Sequence, residues 1–157
     1  MTRHVFQTCP LPGDVDAVRA AFVGDPSAWL PSPAREQDDG RWEIRLSAGP
    51  ASRYVLATVG PPWDLGEVTW RQLAWEPHED TALHRFLPAF DGEIGFRPEG
   101  TGTLIIQGQY APPGGSLGQA IDSLALHRVA DSTVHDLVIE VAKQLQRRLG
   151  VARADQG

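Results

Sequence analysis

The chain has 157 residues, 41% hydrophobic and 22% charged, with a formal net charge of −6. That length supports one domain with a real core, and the negative charge argues against nucleic acid or an anionic membrane as partner, since both reward basic patches. The single cysteine, Cys9, excludes an internal disulfide and leaves no second thiol for a zinc site or a redox pair.

Met1 to Cys9 lacks a charged-then-apolar leader, and no apolar run reaches membrane-spanning length, so a cytoplasmic protein is expected. Val5 to Thr8 reads as a first strand, closed by Pro10, Pro12 and Gly13. Asp14 is a good N-cap for a helix carrying Val15, Val18, Ala21 and Phe22 at helical spacing, with Gly24 as its stop. Asp25-Pro26 starts a second short helix through Trp29. Pro31, Pro33 and the run Arg35 to Gly40 read as a polar loop. The period then changes to two. Trp42, Ile44 and Leu46 alternate with Arg41, Glu43, Arg45 and Ser47, which gives a half-buried antiparallel strand.

Arg53 to Val59 is the next strand, with its inner face left open. The stretch 60–66 reads as a loop. Glu67 to Trp75 is a third strand of this set; Glu67, Thr69 and Arg71 suggest its outer face, which leaves Val68, Trp70 and Gln72 inward. Leu83 to Phe90 reads as a strand bent at Pro88, and Asp91-Gly92 as a two-residue hairpin turn. Glu93 to Arg97 and Gly102 to Tyr110 complete the set, the last with Leu104, Ile106 and Tyr110 inward and Gln107 and Gln109 outward. Consecutive strands with short turns pair antiparallel, and one apolar sheet face needs a cover.

That cover is Ser116 to Leu149, which holds no proline and would run roughly 50 Å as a helix. Ser116 offers the N-cap, and Gly150 suits the position after the end. On a helical wheel Leu126, Ala130, Val134, Leu137, Val138, Val141 and Leu145 share the buried arc, and Arg128, Ser132, Asp136, Glu140, Lys143 and Arg147 the solvent arc. His127 sits near the middle of the apolar arc, with Ser123 and Asp131 one turn away on either side. Such a trio is either a core histidine satisfied by its neighbours or part of a cavity wall. An imidazole in an apolar pocket can also serve proton transfer, with Gln72, Tyr54 or Tyr110 as a second polar group across the cavity. Trp42, Trp70 and Tyr110 are the candidates for the opposite wall.

No metal site is expected. His127 and His135 stand about 12 Å apart along a helix, and His78-Glu79-Asp80 reads as a solvated turn. Neither glycine-rich stretch, at 100–102 or 114–118, matches a phosphate loop. Ser123, His127 and Asp131 match a hydrolase triad by type alone, on one helix and without an oxyanion hole.

This order, one strand, two short helices, a meander of strands and one long helix, resembles the helix-grip fold of the START-related, birch-pollen-allergen-like superfamily, also called SRPBCC. The resemblance rests on the first strand with Asp14, Val18, Phe22, Asp25-Pro26 and Trp29, on the meander from Trp42 to Tyr110, and on Tyr110 to Gly115 leading into the helix. It implies an α+β domain over 1–150, whose curved antiparallel sheet of about six to seven strands wraps around the helix, with 151–157 as a flexible tail. It further implies a cavity for a small hydrophobic molecule, such as a lipid or polyketide; the helical wheel and strand faces read above put His127, Ser123, Asp131, Trp70, Tyr110 and Trp42 on its walls. Relatives include polyketide cyclases or dehydratases and chaperone-associated interaction modules, which are the alternative functions. No catalytic residue carries over, no cofactor is expected, and a monomer or homodimer would suit the fold.

Overall fold

A computed structural model describes residues 3–48, 51–77, 89–100, 102–111 and 123–156. In chain order these form β1 (Arg3–Pro10), α1 (Val15–Val23), a 3-10 turn (Pro26–Ala28), β2 (Arg35–Glu36), β3 (Trp42–Ala48), β4 (Ala51–Val59), β5 (Trp63–Leu65), β6 (Val68–Pro77), β7 (Ala89–Arg97), β8 (Thr103–Ala111) and α2 (Ser123–Gln156). One antiparallel sheet holds all eight strands in the order β1-β8-β7-β6-β4-β3-β2, with β5 also on β6. The helix-grip expectation therefore holds: α2 packs against β1, β3 and β8, and α1 against α2.

The N-terminal punctuation works as its chemistry requires. Asp14 Oδ1 accepts from the backbone N–H groups of Asp16 and Ala17, and Asp25 Oδ1 from that of Ser27. Val18 and Phe22 are the buried residues of α1. In β3, Trp42, Ile44 and Leu46 are all buried, as the alternation requires, and register across β4 assigns Val55 and Ala57 to the same face.

In β6 the expected faces are reversed. Thr69, Arg71, Leu73 and Trp75 point into the core side, and Trp70 and Gln72 lie on the convex side. The polar residues tolerate this because each has partners. The Thr69 hydroxyl donates to Asp64 Oδ1 at 2.7 Å, and Arg71 reaches backbone carbonyls. Trp70 is nonetheless only 8% exposed, because its ring lies over Gly95 of β7, where a Cβ would come within 2.5 Å of Trp70 Cε3.

Three further expectations are corrected. The stretch 60–66 contains β5, a short strand turned back into β6 at Gly66 with φ +62°, a conformation that favours glycine. Asp91-Gly92 is not a hairpin turn; both lie inside β7, opposite Gln109 and Gly108. Helix α2 does not stop at Gly150 but continues to Gln156, since one glycine costs a helix only about 1 kcal/mol. The proposed start of that helix at Ser116 and the strand over 83–88 lie outside the described residues.

The Gly92–Gly108 pair shapes the sheet. A Cβ on Gly92 would collide with the Gln107 carbonyl oxygen and stand 2.7 Å from both Gly108 Cα and the tip of the Phe90 ring. The two strands approach too closely there for any side chain. Gly92→Ala is expected to cost about 1–3 kcal/mol, the usual penalty of overpacking, and to lower the urea midpoint accordingly. A wild-type midpoint would mean that β7 and β8 have room to separate.

Candidate functional site

The face of the sheet turned towards α2 carries a row of aromatic residues interrupted by one alanine. Register aligns Trp42 (β3), Ala57 (β4), Trp75 (β6), Phe90 (β7) and Tyr110 (β8), and all five are buried. Trp75 stacks on Phe90 with ring centroids 4.4 Å apart and planes inclined by 21°. The Phe90 ring can lie down because Gly92 and Gly108 offer no Cβ beneath its tip. Trp75 Nε1 is buried and has no hydrogen-bond acceptor among the described residues.

Beyond Leu73 and Gly92 the same face ends in a polar knot around Arg71, which is 6% exposed. Its Nε donates to Gly60 O at 2.8 Å, and one Nη donates to Phe22 O at 2.9 Å and Gly24 O at 2.7 Å. The guanidinium also lies 5.8 Å from the Trp29 ring centroid, and Phe22 packs on Trp29 at 5.4 Å. Burial pulls the pKa of Arg71 below the usual guanidinium value, while the Asp25 charge opposes that shift. The knot thus ties the C-terminal end of α1 to the sheet with a cation, the sign a helix C-terminus favours.

On the other side of the core, α2 presents Ala130, Thr133, Val134, Leu137, Val138, Val141, Ala142 and Leu145 as buried residues. The wheel is thereby upheld from Ala130 onward, with Thr133 and Ala142 added. Thr133 is inside because its hydroxyl donates to Ser47 O at 2.7 Å, which ties the helix to the end of β3. Asp131 is half-buried at the edge of this stripe, and His135 is exposed, its Nδ1 3.3 Å from Gln7 Oε1. Ser123 and His127 lie on α2, with side chains outside the described set.

The residues expected to line the site therefore divide. Trp42 and Tyr110 share the aromatic row on the helix side of the sheet, whereas Trp70 is on the opposite face and drops out of that wall. Gln72 shares Trp70's face and Tyr54 is exposed on it, so neither can stand across from α2. Trp75 and Phe90 were missed. The parity of Leu73 and Trp75, both apolar, held the signal that the polar Thr69 and Arg71 obscured.

A separate groove of about 450 Å³ opens where α2 crosses the β3 edge, lined by Leu46, Ser47, Ser52, Leu137, Glu140 and Lys143 among others. Among the described residues no three metal-ligating side chains come together, and no helix is long and apolar enough to cross a membrane.

The eight-stranded antiparallel sheet packed on one long helix is the helix-grip arrangement that the chain order implied. Among solved structures the chain is similar to Zhui aromatase/cyclase from Streptomyces sp. R1128, with 12% identity over 95% of this chain and 96% of that one and a TM-score of 0.58. It is also similar to a conserved protein from Geobacillus kaustophilus, with 16% identity over 94% of this chain and 96% of that one and a TM-score of 0.51. At these identities the likeness is one of fold. No family model and no curated protein matches the sequence.

Proposed function

We propose that the chain binds a small hydrophobic molecule, of lipid or polyketide type, between the aromatic row of the sheet and the N-terminal half of α2. The observation that carries this reading is the row itself, with Trp75 Nε1 buried beside it without an acceptor among the described residues. Simple core filling does not need a lone donor there, and such a group costs about 1–3 kcal/mol unless something bonds it. Trp42, Trp75, Phe90 and Tyr110 form the sheet wall of this proposal. His127, Ser123 and Asp131, on the arc set by helical spacing, form the helix wall. The fold shared with an aromatase/cyclase is compatible with a catalytic role as well. Binding is the reading preferred here, because the described sheet wall is buried and mainly apolar; His127 and Asp131 on the helix wall are the groups a catalytic role would use.

The test is titration of the folded protein with an apolar fluorescent probe. Saturable uptake of one probe per chain is expected, weakened about tenfold in His127→Phe with folding intact, a loss equivalent to about 1.4 kcal/mol. No saturable uptake by the wild-type chain would refute the proposed function. Undiminished affinity in His127→Phe would remove His127 from the helix wall.

A further inference from the structure

We propose that Trp75 is the polar anchor of the bound molecule. Its buried indole N–H donates to an uncharged oxygen of the ligand, so the ligand carries a carbonyl, ether or hydroxyl oxygen on an otherwise apolar body. This inference rests on the binding role proposed above and adds the chemistry of recognition.

Three observations lead to it. The Trp75 side chain is only 4% exposed, and its Nε1 has no acceptor among the described residues. An indole nitrogen can only donate, so whatever satisfies it must supply a lone pair. The ring is also fixed in direction, because Phe90 stacks on it at 4.4 Å and Ala57 stands beside it in register. A fixed donor in an apolar wall selects the position of the acceptor on the guest, which a mobile hydroxyl would not do. The acceptor is uncharged because a single neutral donor cannot repay the desolvation of a carboxylate. Arg71, the buried cation of this face, is already committed to Gly60, Phe22 and Gly24.

The other buried indole nitrogen without an acceptor, Trp29 Nε1, carries no such inference. Its ring packs against Phe22 and the Arg71 guanidinium, and Arg71 has already taken the carbonyls of Phe22 and Gly24. That nitrogen belongs to the knot around Arg71 and lies outside the aromatic row that forms the proposed wall.

Two probes of nearly equal shape separate the possibilities: tetralin, a hydrocarbon, and 1-tetralone, the same bicycle with one carbonyl oxygen. Calorimetric titration of wild type and Trp75→Phe is expected to show about tenfold weaker tetralone binding in the variant, with tetralin affinity changed by no more than about twofold. Equal weakening of both probes would overturn the anchor while leaving the binding role standing. Failure of the wild-type chain to bind either probe would remove the binding role, and the anchor with it. If Trp75→Phe does not fold, the wild-type protein answers alone. The assigned Trp75 indole N–H resonance should move downfield with tetralone and not with tetralin; the same shift with both would overturn the proposal.

Discussion

Val138→Asp is expected to leave no folded protein at neutral pH. Val138 is fully buried on the inner face of α2, in a stripe with Val134, Leu137, Val141 and Leu145 that meets the sheet. An aspartate there must either remain charged in an apolar setting or take up a proton and still leave two oxygens without partners. Either route costs several kcal/mol, and a domain of this size is stable by only about 5–15 kcal/mol. The companion change Arg147→Ala, on the exposed arc of the same helix, should stay within about 0.5 kcal/mol of wild type. Circular dichroism and urea melts of the two variants measure the difference. Equal effects would mean that α2 is rotated from the orientation described.

Arg71→Leu is expected to cost about 3 kcal/mol or more. The change removes the donors that hold Gly60 O, Phe22 O and Gly24 O and leaves the buried Gly60 and Phe22 carbonyls unpaired, at about 1–3 kcal/mol each. Relief from burying a cation offsets part of that sum. For a chain of this length the loss corresponds to a fall in Tm of roughly 6–12 °C. Arg71→Lys should recover little, because a compact ammonium cannot reproduce a planar fork that reaches two chain segments. Calorimetric melting of the three proteins checks this. An unchanged Tm for Arg71→Leu would mean that α1 is held to the sheet by its apolar contacts alone.

The same two residues mark what the sequence made legible and what it did not. Val138 was placed correctly because the period of α2 is long and its buried face nearly free of polar residues. The alternation of Trp42, Ile44 and Leu46 was equally plain, and Asp14 and Asp25 declared their helix starts. Arg71 misled because its polarity suggested solvent, whereas its partners are backbone carbonyls from α1 and from the end of β4, which no local pattern reveals. Reversing that one strand face exchanged Trp70 for Trp75 in the expected site. Asp91-Gly92 misled for a related reason. The dipeptide is a strong turn signal, yet here the glycine serves a close approach to Gly108 across the sheet. The polar trio of Ser123, His127 and Asp131 keeps its place on α2 by spacing, and its part in the site is a proposal that the His127→Phe titration decides.

The proposed seat of the small apolar molecule is the aromatic row between the sheet and α2. Isotope-filtered nuclear Overhauser spectroscopy of the labelled protein with unlabelled 1-tetralone tests it most directly. Contacts are predicted from the probe to the rings of Trp42, Trp75, Phe90 and Tyr110. Contacts confined to Trp63 and Leu65, the exposed apolar residues of β5, or to Leu46 and Leu137 in the edge groove, would contradict it.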